Sequence, residues 1–216
     1  MRVLTYNIRH GQGEDGWVSN ARVARVVRDA APDVVGMNEV WRLTRSFDQP
    51  AVLADKLGFD VAFEANASFG PWQQGNLILS RGRIVRWDNI ELPHGLERRG
   101  CLLAEIALDG VRIAFASTHL SLERRVRSLQ LAALVRELPR DLPLVLAGDM
   151  NCTAEELEPL REILELAPAP ASFPALIPFR RLDHIAFSAH WRLSHVSAIR
   201  TIASDHLPVV ADLEPA

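Results

Sequence analysis

The apolar positions of this chain fall mostly into short continuous runs separated by turn residues, with a few stretches at helical spacing between them. Leu144-Val145-Leu146-Ala147, entered from Pro143, and Val34-Val35-Gly36-Met37 have no polar alternation, the pattern of strands buried on both faces. Residues 2–6, 61–63, 75–80, 84–87, 182–187, 193–201 and 207–213 read as further strands. Residues 101–108 and 111–117 flank Asp109-Gly110, the strongest hairpin signal in the chain.

Helical spacing appears at Val23, Val26, Val27 and Ala30, behind Ser19 or Asn20 as a cap and ahead of Pro32. Residues 48–57 predict a helix closed by Gly58, and residues 122–138 a long amphipathic helix with Val126, Leu129, Ala133 and Leu134 on one side. A further helix is expected over 154–166. Residues 66–74 and the segment punctuated by Pro168, Pro170, Pro174 and Pro178 read as loops. No linker, repeat or low-complexity tract interrupts the pattern, so residues 1–216 are expected to form one α/β domain rich in antiparallel pairs.

Composition narrows the class. The chain is 48% hydrophobic and 24% charged, ordinary for a globular protein, and no apolar run is long enough to cross a bilayer. Cys101 and Cys152 are too few and too far apart for a disulfide framework or a zinc motif. The net charge of -3 lacks the basic excess of a dedicated nucleic-acid binder, although nearly all basic residues are Arg and Lys56 is the only lysine. The amino terminus enters patterned sequence without a leader-like apolar stretch, so a cytoplasmic location is expected.

The strands repeatedly end in residues capable of chemistry: Asn7, Glu39, His119, Asp149 with Asn151, Asp183, and Asp205 with His206. Rigid strand ends are good mounts for catalytic groups, and ordinary caps would favour Ser and Gly as often. The other histidines (His10, His94, His184, His190 and His195) share no spacing and are expected at the surface or behind the site. Arg127 and Gln130, one helical turn apart, are expected to brace their helix. Trp41 and Trp72 could line a cleft or simply pack.

Six short segments carry a resemblance when taken in order: Thr5-Tyr6-Asn7-Ile8, Asn38-Glu39-Val40, Ser117-Thr118-His119-Leu120, Gly148-Asp149-Met150-Asn151, Arg181-Leu182-Asp183-His184-Ile185 and Ser204-Asp205-His206-Leu207-Pro208-Val209. Together they resemble the endonuclease/exonuclease/phosphatase superfamily, whose members include DNase I-like nucleases, abasic-site endonucleases, neutral sphingomyelinases and inositol-phosphate phosphatases. The opening segment looks most like the small bacterial metal-dependent hydrolases of that group.

The resemblance implies a four-layer α/β/β/α sandwich, with two packed mixed β-sheets flanked by helices. It also implies hydrolysis of a phosphodiester or phosphomonoester by direct water attack with Mg²⁺ or Mn²⁺. Glu39, Asn7 and Asp205 would hold the metal, and Asn151 a phosphate oxygen. Asp149 would orient or deprotonate water, and Asp183 would fix His206, which acts as base or as phosphate-gripping cation. His119 would stabilise the pentacovalent centre or protonate the leaving oxygen.

Two departures refine this picture. Arg9 stands where abasic-site endonucleases carry an acidic residue, which weakens a second metal site on that side. The chain is also short for the group, so duplex-gripping loops are expected to be trimmed. The expected partner is therefore a small phosphate ester or a lipid head group rather than duplex nucleic acid, and the expected state a monomer. A nuclease and a lipid head-group phosphodiesterase stay open as alternatives, the latter hinted at only by Phe69-Gly70-Pro71-Trp72. A catalytically silent phosphate-binding member would be expected to have lost Glu39, Asp149, Asp183 or His206, and all four are present.

Overall fold

The chain is described by a computed structural model over residues 1–43 and 47–216, apart from the side chain of Phe69. Its first half contains β1 (Arg2–Asn7), α1 (Asn20–Ala30), β2 (Val34–Leu43), β3 (Phe47–Asp48), α2 (Gln49–Leu57), β4 (Asp60–Phe69), β5 (Trp72–Ser80) and β6 (Arg83–Leu92). There follow β7 (Arg99–Leu108), β8 (Val111–His119), α3 (Arg124–Glu137), β9 (Leu144–Asp149), β10 (Glu165–Leu166), β11 (Asp183–Phe187), β12 (Trp191–Ala198) and β13 (Val209–Pro215). One sheet has the order β12-β13-β1-β2-β5-β4, with β3 added to β2; the other has the order β10-β11-β9-β8-β7-β6.

Side-chain alternation along the central strands builds the layers. Val3, Val34, Ile78, Phe115, Val145 and Ile185 point between the sheets and form the inner core. Their neighbours Leu4, Val35 and Leu79 point outward beneath Val23 and Val27 of α1 and Leu53 of α2. On the other sheet Ala114, Leu144 and Leu146 point outward beneath Leu131 and Leu134 of α3. Each central strand therefore buries both faces, which explains its unbroken apolar run. The result is the expected four-layer α/β/β/α sandwich.

Strand direction gathers the chemistry at one end. β1 and β2 run parallel, as do β8 and β9, so Asn7, His119 and Asp149 arrive at strand ends on the same side. The antiparallel β11 begins there, with Asp183 opposite Asp149. The antiparallel β13 begins there too, just after Asp205 and His206.

Most local expectations hold. Ser19 caps α1, its Oγ accepting from the Arg22 N–H at 3.2 Å, and Gly58 closes α2 in the left-handed conformation. Asp109 and Gly110 both take positive φ, and Leu108 pairs with Val111 across the turn they make.

Three expectations are overturned. Residues 154–166 are not a helix: they form turns, a 3-10 segment at Glu158–Glu162, and β10, which pairs with β11. Pro159 lies inside that stretch, where it removes a helical donor and clashes with the preceding turn. Residues 66–74 are not a loop but the outer parts of a β4–β5 hairpin, with Phe69 opposite Trp72. Their polar side chains mark the point where the strands leave the apolar core, not the end of pairing. In α3, Leu129 faces solvent and Leu131 takes the core position instead.

Candidate functional site

The site starts from two backbone irregularities. Between Met37 and Val40, β2 carries one more residue than β5, so Asn38 and Glu39 bulge opposite Asn76. Glu39 adopts φ +56°, a conformation a side-chain-bearing residue takes only when its surroundings impose it. The bulge sends Asn38 inward and aims Glu39 at the strand-end cavity. Gly148 is the second irregularity: at φ +154° it passes so close to β8 that a Cβ there would collide with the Thr118 carbonyl. Only glycine lets β9 deliver Asp149 at this spacing.

Asn38, fully buried, ties the two sheets together. Its Nδ2 donates to the Asn76 Oδ1 at 2.9 Å and to the Thr118 carbonyl at 3.0 Å, and its Oδ1 accepts from the Asp149 N–H at 2.9 Å. Asn76 continues the line by donating to the Gly100 carbonyl at 2.9 Å. A buried network with its members paired holds the strand ends in a single arrangement.

Asp149 is the centre of the cluster. Its Oδ2 accepts from Asn7 Nδ2 at 3.0 Å and lies 3.5 Å from His119 Nε2 and 3.7 Å from His206 Nε2. The same Asn7 amide donates to Glu39 Oε1 at 3.0 Å, so it bridges the two carboxylates. Asp149 Oδ1 accepts from the Asn151 N–H at 3.1 Å, while Asn151 Nδ2 donates to the Leu120 carbonyl at 3.0 Å. Asp183, fully buried, accepts from His206 Nδ1 at 2.8 Å and from the Ser172 hydroxyl at 2.6 Å, both at Oδ2. The Phe173 ring lies against the His206 imidazole, with centroids 4.8 Å apart.

These environments divide the titrating groups. Burial, reinforced by the charge of Asp183, pushes Asp149 up to about 7 despite its hydrogen bonds. Burial also opposes charge on His206, but the charge and hydrogen bond of Asp183 outweigh it, with help from Asp149 and Asp205. The imidazole is pushed up to about 10. His119 goes the other way: burial, then the charges of Arg99 and His206, hold it well below the ordinary range. Near neutral pH one imidazole is therefore charged and the other neutral, on either side of a carboxylate that can exchange a proton.

Glu39, His119, Asp149, Asn151 and His206 line a single cavity of about 410 Å³ that also takes in Asn76, Arg98, Arg99, Phe173 and Arg180. Asn7 and Asp183 stand behind its wall. Asp205 is less closely joined: its Oδ2 lies 3.6 Å from Arg9 Nε, and its Oδ1 accepts from the Ser204 hydroxyl. Asp149, Asp183 and His206 bring potential ligand atoms within 4.8 Å of one another and could hold a metal ion.

Other sequence candidates resolve more simply. Arg127 and Gln130 brace structure as expected, although what they hold is the loop before α3. Arg127 donates to the Ser121 and Leu122 carbonyls, and Gln130 accepts from the Ser121 N–H. His184 is buried against the Cys152 carbonyl, while His94, His190 and His195 are exposed. Trp41 and Trp72 pack on each other, with His10 stacked on Trp41 at 4.3 Å. Asn76, Ser172 and Phe173 were not singled out by sequence reasoning. Asn76 left a signal, a carboxamide inside the apolar run of β5; Ser172 left none in its proline-rich segment.

Comparison with known proteins agrees with the fold. The model of the Endonuclease/Exonuclease/phosphatase family matches residues 4–206. The uncharacterized Escherichia coli (strain K12) protein YbhP is 32% identical over 244 residues, which span 98% of this chain and 95% of that protein. A solved endonuclease/exonuclease/phosphatase from Beutenbergia cavernae is similar with TM-score 0.85 at 26% identity, covering 100% of this chain and 72% of that one. A mannosyl-6-phosphatase from Bacteroides thetaiotaomicron shares the fold, with TM-score 0.80 at 18% identity and 99% of each chain covered.

Proposed function

The chain belongs to the endonuclease/exonuclease/phosphatase family, and from that premise we propose that it is a divalent-metal-dependent phosphoesterase working by direct attack of water on phosphorus. One observation carries this reading. A buried Asp149, poised near neutrality, faces a charged imidazole and a neutral one across a cavity with no serine, threonine, cysteine or lysine among its lining residues. Pairs of titratable groups driven apart by their surroundings mark acid–base assignments.

Glu39, with Asp205 nearby, offers the hard carboxylate oxygens that suit Mg²⁺ or Mn²⁺. Asn7 instead turns its Nδ2 to Glu39 and Asp149, and its Oδ1 accepts from the Arg9 N–H at 3.1 Å. In the buried trio, Asp183 Oδ1 has no hydrogen-bond partner and could also ligate an ion. Asp183 Oδ2, by contrast, already accepts two hydrogen bonds, and a protonated His206 has no lone pair to give. A divalent cation at the Glu39 side would polarise a phosphoryl oxygen and stabilise the charge that develops on it.

The remaining roles fall to the chain's own groups. Asp149 orients the attacking water and takes its proton, which a carboxylate titrating near 7 can do at physiological pH. Asn151 spends one amide hydrogen on Leu120 and has the other for a phosphate oxygen. Neutral His119 donates an N–H to the pentacovalent centre. His206 serves as the charged grip on the anionic transition state rather than as the base, held in orientation by Asp183 and Ser172. The enzyme is proposed to act as a monomer in the cytoplasm on small phosphate esters or lipid head groups.

The test is hydrolysis of bis-p-nitrophenyl phosphate by purified protein. Activity should vanish on exhaustive chelation with EDTA and return with Mg²⁺ or Mn²⁺. Glu39→Ala should raise the metal concentration needed by about tenfold or more while the unfolding transition stays in place. Activity indifferent to EDTA would remove Glu39 from its role. Plain duplex DNA should bind with a Kd of about 1 µM or weaker at about 0.15 M salt, since scattered Arg contacts are screened there. Nanomolar duplex binding under those conditions would instead make the protein a nuclease candidate.

A further inference from the structure

Phe173 and Arg180 both line the catalytic cavity, and they face each other as an isolated antiparallel bridge. The segment between them is therefore a hairpin standing on the cavity's rim. Its base is well fastened: the Phe179 and Arg180 N–H groups donate to the Phe173 carbonyl at 3.0 and 2.9 Å, and the Ala175 N–H donates to the Asp205 carbonyl at 2.7 Å. Pro174 and Pro178 restrict its backbone further.

This fastened hairpin presents its large apolar side chains to solvent. Leu176 is 62% exposed, Ile177 77% and Phe179 74%. Leu122, 74% exposed, joins Phe179 in lining the neighbouring cleft, and it also lines the catalytic cavity. Scattered exposed aliphatics are normal, but four such residues along one edge of a cavity mouth form a patch.

The charges beneath the patch point to its partner. Arg98 and Arg180 line the cavity and Arg181 the adjoining cleft, and none of the three makes an ion pair among the described residues. The nearby Glu97 is engaged by Arg99, and Glu156 by Arg124 and Arg127. Glu155, in the same cleft as Arg181, is the one carboxylate there without an ion pair among the described residues. Apolar tips ahead of unpaired arginines match the order met on entering an anionic bilayer surface, with acyl chains deepest and phosphates at the head-group level. We propose that the hairpin at 173–180 docks the cavity mouth onto an anionic lipid bilayer, so that the substrate is a phosphate ester of a lipid head group held in that surface. The substrate part of this inference rests on the phosphoesterase reading; the docking part does not.

Co-sedimentation of the full chain with vesicles tests it, using phosphatidylcholine alone and phosphatidylcholine mixed with phosphatidylglycerol. Hydrolysis of soluble bis-p-nitrophenyl phosphate is followed in parallel. The protein should bind the phosphatidylglycerol vesicles, bind phosphatidylcholine weakly, and lose binding as salt rises. The double variant Leu176→Ser/Ile177→Ser should lower vesicle partitioning by about tenfold and leave soluble hydrolysis within about twofold, because both side chains lie outside the cavity. Arg181→Glu should weaken binding to phosphatidylglycerol vesicles only. Failure of the wild-type chain to bind vesicles, or equal binding by the double variant, overturns docking; the patch would then belong to a protein partner. Vesicle binding with neither soluble hydrolysis nor release of head group or phosphate from the vesicles supports docking and fells the phosphoesterase reading instead.

Discussion

Asp183→Asn should lower kcat by about 10³-fold and leave metal affinity little changed, because it removes the partner that keeps His206 charged. Burial opposes the imidazolium, and Asp183 supplies the charge and the 2.8 Å hydrogen bond that overcome it. The amide can still receive or orient the ring but brings no charge, so the imidazole should titrate well below its value of about 10. NMR of the His206 ring in metal-free protein reads this directly. In the wild type, activity should rise as Asp149 ionises through about pH 7 and fall only as His206 deprotonates near 10. In the variant the alkaline limb should move toward neutral pH.

Stability should follow the same linkage. A histidine whose folded pKa lies above its unfolded value stabilises the fold fully below the unfolded value of about 6.5, and that contribution disappears as pH rises through the folded value of about 10. Wild-type stability should therefore contain a component lost between roughly pH 6.5 and 10 that Asp183→Asn no longer shows. A His206 titration indifferent to this substitution would separate the pair and dismantle the assigned roles.

Gly148→Ala should be strongly destabilising for the addition of a single methyl group. The added Cβ would meet backbone, the Thr118 carbonyl of the parallel neighbour β8, and not the movable end of a side chain. Strand β9 can accept it only by moving away from β8 or changing its φ of +154°, and either disturbs a core buried on both faces. A cost of about 3 kcal/mol is expected, lowering Tm by about 6–12 °C in a protein of this size. Because Asp149 follows directly, surviving protein should also lose most activity. Calorimetry and steady-state kinetics on the same preparation check both, and a Tm within about 2 °C of wild type would show that the strand pair is more compliant than its geometry implies.

Much of this protein was written locally. Strands buried on both faces announce themselves as unbroken apolar runs, and β9 and the Val34–Met37 part of β2 were readable for that reason. The turn at Asp109-Gly110 and the cap at Ser19 follow from side-chain and backbone preferences that need no distant partner. The candidate site residues were legible in outline because each stands close to where an apolar run begins or stops. The helix expected at 154–166 is a misreading that gives too little weight to Pro159, which disfavours a helix there by removing an N–H.

What only the tertiary structure decided depends on sums over distant groups. Nothing beside Asn38 says that it will bond to Asn76, Thr118 and Asp149 across two sheets, nor that a bulge will turn Glu39 into the cavity. Nothing in the proline-rich segment says that Ser172 will meet Asp183, or that Leu176, Ile177 and Phe179 will stay in solvent at the cavity mouth. His119 and His206 are the same residue type at similar strand-end positions, yet one is held neutral and the other charged. Hydrophobic periodicity records which face a residue turns to the core, a local property. Protonation depends on burial and on every nearby charge, and those distances exist only once the sheets have packed.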